Sequence, residues 1–235
     1  GAQKPLTGTA EIDGKTWRFL GAGSSPAMET TALTVTPTST QSTLSAAGIE
    51  VTITFTTPLL LDRPDILSMP VTYVDLCARA IDEKAHDVTL RFFMSDALCY
   101  ELRSFRGDPE RREMTTDPGY LCTQRPAMIH DHYSLPEGLN IAYTGRAHQG
   151  IVGHSGDGIT IDWGYLYLAG ESEITAEGNG LSGQAAGRLI PGQGLEMRLY
   201  AAYDDIASID YFGRVAPAWY ARNGRTILDA ITTFH

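Results

Sequence analysis

Apolar and polar residues alternate with a period of two along most of the chain, most clearly between Pro70 and Ser95. Val88, Leu90 and Phe92 alternate with Thr89, Arg91 and Phe93, which puts an apolar row on one face of a strand. The preceding run, Val71 to Ala80, is apolar or small on both faces, with Val71, Tyr73 and Cys77 against Val74, Leu76 and Ala78. That is the pattern of a strand in the middle of a packed sheet. Asp82-Glu83-Lys84-Ala85 offers no core residue and suits a four-residue hairpin loop. The pattern thus predicts that residues 71–80 and 88–95 pair as central neighbours in a large antiparallel sheet.

The first hairpin is encoded locally. Gly8 to Ile12 and Lys15 to Leu20 flank Asp13-Gly14, whose two positions both accept the positive φ that a two-residue turn demands. Leu33 to Thr36 and Ser42 to Ser45 follow, and Pro37 confines the first to an edge or a strand end. Ala47-Gly48 turns the chain into Ile49 to Thr56, where Val51, Ile53 and Phe55 alternate with polar residues. Pro58 to Pro70 is a connection, Arg103 to Asp117 a polar surface excursion, and Tyr120 to Tyr133 holds one or two short strands. Asn140 to Ala147, Thr160 to Leu168, Glu171 to Ala176 and Leu195 to Tyr203 read as strands, with Gly178 to Gly194 a glycine-rich connection.

The end changes character. Pro217 to Asn223 predicts a short helix stopped at Asn223-Gly224, and Ile227, Leu228 and Ile231 fall at helical spacing within Thr226 to Phe234. Strands spaced about ten residues apart mark a sandwich or barrel. The expectation is an all-β fold, an antiparallel two-sheet, super-sandwich-like arrangement with a short C-terminal helical segment. It divides into a β-sandwich domain over 1–215 and a helical exit segment over 216–235.

Charge and cysteine content narrow the function classes. A net charge of −10 disfavours nucleic acid, since the one Lys/Arg concentration, Arg103 to Arg112, is interrupted by acids. No apolar run approaches the ~18 residues of a membrane span, and Gly1-Ala2-Gln3-Lys4 opens no charged-then-apolar leader. Cys77, Cys99 and Cys122 sit at no metal-ligand spacing. They read as buried free thiols, or as one disulfide such as Cys99 to Cys122 with a thiol left over.

Several motifs invite chemistry and fail their structural requirements. Gly153-His154-Ser155-Gly156-Asp157 lacks the final glycine of a nucleophile elbow and the helix that must follow the serine. Gly178-Asn179-Gly180-Leu181-Ser182-Gly183 matches a dinucleotide loop in spacing, but no strand-loop-helix unit surrounds it, so a flexible loop is expected. His130-Asp131-His132 would set two imidazoles on one strand face, half of a metal site with no other half in sight. Glu171 with Glu173, and Asp204 with Asp205, are paired acids without the burial pattern that raises a pKa. Trp163, Tyr165 and Tyr167 alternate along one strand, as sheet core, as an interdomain contact or as a sugar-stacking platform. No catalytic, cofactor or metal constellation is assembled.

Five runs in order resemble the bacterial and fungal glutaminase A-like proteins. They are Glu11 to Gly21 (EIDGKTWRFLG), Met69 to Tyr73 with Ala85 to Val88, Asp162 to Tyr167, and Tyr203 to Gly213 (YDDIASIDYFG). The resemblance implies a non-catalytic β-sandwich that precedes a helical catalytic domain of the six-hairpin glycosidase type. It also implies a putting-together of partners within one polypeptide, a periplasmic or secreted location, and no catalytic residue in this stretch. Two function classes follow, an accessory sandwich that shapes a neighbouring active site and a carbohydrate-binding module; a sandwich with its own hydrolase activity is a third. Tyr211, Phe212, Trp219 and Tyr220 concentrate around Pro217 and the turn at Gly213. They are the expected contact with a following domain; in this chain by itself some of these rings should be exposed, and the last helix should pack loosely or against another copy.

Overall fold

The computed structural model describes residues 4–100, 125–149, 164–212 and 214–235. In chain order the strands are β1 (Leu6–Ile12), β2 (Lys15–Leu20), β3 (Glu29–Val35), β4 (Ser39–Ala46), β5 (Ile49–Thr56), β6 (Val71–Ala80) and β7 (His86–Ser95). They continue with β8 (Met128–Ser134), β9 (Asn140–Arg146), β10 (Tyr165–Gly170), β11 (Glu173–Glu177), β12 (Gly180–Leu189) and β13 (Gly194–Asp204), then the short pair β14 (Ile209–Tyr211) and β15 (Arg214–Ala216). Two antiparallel sheets result, a five-stranded one in the order β11-β12-β7-β1-β2 and an eight-stranded one in the order β3-β4-β5-β6-β13-β10-β9-β8. The fold is the all-β sandwich that the alternation predicts.

The core lies between the sheets, where alternate residues of facing strands meet. Ala10, Ile12, Leu90, Phe92 and Leu181 on one sheet meet Val51, Ile53, Val74, Leu76, Leu168 and Leu199 on the other, all buried. The Asp13-Gly14 turn closes β1 onto β2 with φ of 49° and 80°, and Ala47-Gly48 closes β4 onto β5 with 49° and 80°. Both are hairpins of the expected kind.

The central pairing is different from the sequence expectation. Residues 71–80 (β6) and 88–95 (within β7) lie in different sheets: β6 pairs with β5 and β13, and β7 with β1 and β12. Residues 81–85 therefore form a crossover from one sheet to the other instead of a hairpin loop. The physical reason is that two apolar rows joined by a polar turn satisfy both geometries. The rows can lie side by side on one sheet, or face each other across the ~10 Å between sheets. Here Val74, Leu76 and Ala78 face the same core as Val88, Leu90 and Phe92.

Strand β6 is apolar on its second face at Val71 and Tyr73, where that face is covered too, whereas Asp75 and Arg79 continue the face as polar residues. Helix α1 is a single turn, Pro64–Leu67, and helix α2 spans Ile227–Phe234. Ile227, Ala230, Ile231 and Phe234 of α2 are buried in a second cluster with Val71, Ile141, Ala169, Tyr200 and Ala202, on the outer face of the eight-stranded sheet. Phe234 stacks on Tyr73 at 5.2 Å, and the Tyr73 hydroxyl donates to the Phe234 carbonyl at 3.1 Å. A capping box opens α2, with the Thr226 side chain accepting from the Asp229 amide and Asp229 accepting from the Thr226 amide. The expectation of a loosely held last helix is therefore corrected: its apolar stripe is sealed against the sheet.

The glycine-rich stretch is also different. Gly178-Asn179 and Pro191-Gly192 turn, and between them Gly180 to Leu189 form β12, which pairs with β11 and β7. The glycines are there for closeness and not for flexibility. A Cβ on Gly180 would come within 2.1 Å of the Met94 carbonyl oxygen, and one on Gly183 within 2.9 Å of a Leu199 methyl.

The two sheets differ in width, and β3, at one edge of the wider, is exposed along its whole length. Its register against β4 shifts between Thr30 and Ala32, and the Thr31 hydroxyl there donates to the Thr43 carbonyl at 3.1 Å.

Candidate functional site

The chain leaves β13 through a tight turn. Asp204 Oδ1 accepts from the Ile206 amide at 3.0 Å, and Asp205 Oδ1 accepts from the Ser208 hydroxyl at 2.5 Å. Ile206 has φ 56°, an uncommon conformation for a β-branched residue. The turn launches the β14–β15 hairpin, in which Tyr211 pairs with Arg214. Phe212 stands at the tip with φ 48°. Gly or Asn would occupy that position without strain. A phenylalanine there is costly in backbone conformation, and it is 92% exposed besides.

The neighbouring rings share this outward position. Tyr211 is 66% exposed and meets Phe212 edge-on at 4.7 Å. Trp219, in the 3-10 turn Trp219–Gly224 that follows, is 50% exposed, with the Arg222 guanidinium 3.6 Å from its ring centroid. Ile209 and Val215 of the hairpin are exposed as well. Tyr220 is the exception at 4% exposure. It is packed in the cluster under α2, and its hydroxyl donates to Asp204 Oδ1 at 3.5 Å. Burial beside Asp204 pushes the Tyr220 phenol up from its ordinary range. Of the four rings, one ties the hairpin base to the fold and three face outward. Leu61 and Leu67 are exposed on the segment around α1, which packs beside the 3-10 turn.

The second candidate platform is built differently. Trp163 lies outside the described residues, while Tyr165 and Tyr167 are half-buried. Tyr143 stacks on Tyr167 at 5.7 Å and meets Tyr165 edge-on at 6.1 Å, and Tyr133 meets Tyr143 at 6.4 Å. The rings cover one another. Tyr133 and Tyr143 were not singled out from the sequence, although Tyr143 shares the period-two pattern of its strand.

The remaining candidates disperse. His130 Nε2 lies 3.3 Å from Asp96 Oδ2, a buried carboxylate that also pairs with Arg125, whereas His132 is exposed. Among the described residues no group of three or more His, Cys, Asp or Glu converges as for a metal ion. Glu171 and Glu173 are both exposed. The nucleophile-elbow look-alike at 153–157 and Cys122 lie outside the described residues. Cys77 and Cys99 are free thiols. Burial pushes the Cys99 thiol up to about 12, so it stays protonated and donates to the Thr144 carbonyl at 3.6 Å.

One cluster escaped the sequence reading. His86 is buried with Asp13 Oδ2 2.7 Å from Nδ1 and Asp82 Oδ1 2.9 Å from Nε2. A neutral imidazole has one donor nitrogen, so satisfying both carboxylates requires the imidazolium. The available signal was the Asp-Gly turn and the His-Asp pair, both conspicuous in the sequence but far apart along it.

Residues 38–104 match a domain of unknown function, DUF5127. No curated protein matches the chain. A solved structure described as a kojibiose phosphorylase from the human microbiome is similar with a TM-score of 0.34 at 8% identity, over 73% of this chain and 18% of that chain. The Slr1438 protein of Synechocystis is similar with a TM-score of 0.31 at 9% identity, over 81% of this chain and 71% of that one. No helix among the described residues is long and apolar enough to cross a membrane.

Proposed function

We propose that this chain is an accessory β-sandwich domain of a larger, exported hydrolase of the glutaminase A-like type. It docks on a helical catalytic domain of the same polypeptide and shapes the approach to its active site. The observation that carries this reading is the outward display of Tyr211, Phe212 and Trp219 on a strained hairpin, anchored from beneath by Tyr220. Exposed aromatics of this size have little use on a free surface and are the usual anchors of a protein contact. The carbohydrate-platform reading has less support, because Tyr165 and Tyr167 are half-buried and Tyr167 is already stacked with Tyr143.

Turnover assays on the purified chain with glutamine and simple aryl glycosides test the non-catalytic half of the proposal, and no activity above background is expected. Hydrolysis abolished by Asp204→Asn or His132→Ala would overturn it. The docking half is tested in the longest natural polypeptide carrying this sequence. Trp219→Ala with Phe212→Ala should loosen the sandwich from the remainder, read as new protease cleavage between them. An unchanged cleavage pattern would refute the assigned contact. Cell fractionation tests export, with the protein expected outside the cytoplasm.

A further inference from the structure

We infer that the partner of the Tyr211, Phe212 and Trp219 surface is a protein face with an apolar socket rimmed by carboxylates, an inference that rests on the docking reading above. The rings supply the adhesive area, but the charges around them select the partner. Bounded by Asp210 and Asp229, the stretch from Tyr211 to Leu228 holds Arg214, Arg222 and Arg225 and no Asp or Glu, in a chain of net charge −10. All three arginines are exposed. None closes an ion pair with a described residue, in contrast to Arg91, Arg125, Arg188 and Arg198, each of which lies against a carboxylate.

Arg222 lies over the Trp219 ring, and a guanidinium so placed keeps N–H groups available for a carboxylate. Trp, Tyr and Arg together are the composition of interface hot spots. Arg214, opposite Tyr211 in the hairpin, and Arg222, neither in an ion pair with a described residue, add a local positive field, which draws an oppositely charged face and orients it, while Arg225 also acts on Asp229. An anionic bilayer would also attract three arginines. Yet a bilayer is extended, and it would repel the acidic remainder of the body, including Asp204 and Asp205 beside the hairpin. A socket engages the patch alone.

Hydrogen exchange of residues 209–225 in the longest natural polypeptide, compared with this chain alone, tests the inference. Protection in the longer protein should fall about tenfold between about 50 mM and 500 mM NaCl, as expected for exposed charges brought together. It should fall similarly at low salt in the variant R214E/R222E/R225E. Protection that is present but indifferent to both salt and charge reversal would overturn the acidic rim and leave the docking reading standing. No protection at any salt would overturn both. Co-sedimentation of this chain with phosphatidylglycerol vesicles, lost in the same variant, would replace the protein partner with a membrane. Concentration-dependent dimerisation of this chain, lost in that variant, would replace it with a second copy.

Discussion

The imidazole of His86 meets the Asp13 carboxylate at 2.7 Å, joining the first residue of β7 to the turn between β1 and β2. Asp82, from the crossover that leaves β6, closes on the other ring nitrogen at 2.9 Å. Asp13 also accepts from the Asp87 amide at 2.9 Å, and Asp87 in turn pairs with Arg188 of β12. Lys84 caps the arrangement by donating its amide to Asp82 at 3.0 Å. The crossover between the sheets is thus held at the point where it enters the second one.

This cluster gives stability a defined pH window. Hydrogen bonds to Asp13 and then Asp82 raise His86 above 6.5, and the bonds from His86 lower both carboxylates below 3.8. A raised histidine contributes its stabilisation fully below 6.5 and loses it as pH rises through the folded-state value. The depressed carboxylates contribute above 3.8 and lose it as pH falls through theirs. The melting temperature should therefore decline from pH 6 toward pH 8, and His86→Gln should flatten that decline. Nuclear magnetic resonance of the ring protons should give His86 a pKa above 6.5; a value at or below 6.5 removes the argument.

Glycine substitutions separate a strand from a loop. Gly180→Val must force Val and the Met94 carbonyl apart, an overpacking expected to cost about 1–3 kcal/mol or more. Gly178→Ala, two residues earlier, meets nothing within 4 Å and should stay within about 0.5 kcal/mol of the parent. Urea unfolding of both variants checks this, and equal effects would contradict the strand assignment of β12.

Leu90 is fully buried on β7, between the sheets. Leu90→Ala is expected to cost about 2–5 kcal/mol, from lost burial and the cavity left behind. A loss below 1 kcal/mol in chemical unfolding would show that this row does not face the core.

Trp219 and Tyr220 are adjacent in sequence and opposite in role. Trp219→Ala should leave the stability of the isolated chain within about 0.5 kcal/mol, because it removes exposed surface. Tyr220→Ala should cost about 3 kcal/mol or more, because it empties a site under α2. Thermal melts of the two variants side by side decide it.

Much of the fold was legible because it is written in short range. The Asp13-Gly14 and Ala47-Gly48 turns, the alternation of β5 and β13, and the helical spacing of Ile227 and Ile231 in α2 each need only a window of about ten residues. What misled was long range. The rows of β6 and β7 carry the same pattern whether they lie beside or opposite each other, and the covering of Tyr73 by Phe234 depends on residues 161 apart. The glycines of β12 look like a loop until the neighbours that demand small residues are in place. For the candidate site, the sequence picked out the aromatic cluster at 211–220 but not its division of labour. Three of its rings are exposed while Tyr220 is buried by α2 and tied to Asp204, a distinction that local pattern does not carry.

The register shift in β3 bears on what a second strand would meet at that edge. A long uncovered border strand offers a free row of amides and carbonyls to any passing chain, and β3 adds the exposed Leu33 and Val35 to the attraction. At Thr31 the regular spacing of that row is interrupted, and the Thr31 hydroxyl is turned back to the main chain of β4. An incoming strand can match one side of the interruption or the other but not both, which limits the run of hydrogen bonds available for edge-to-edge stacking into fibrils.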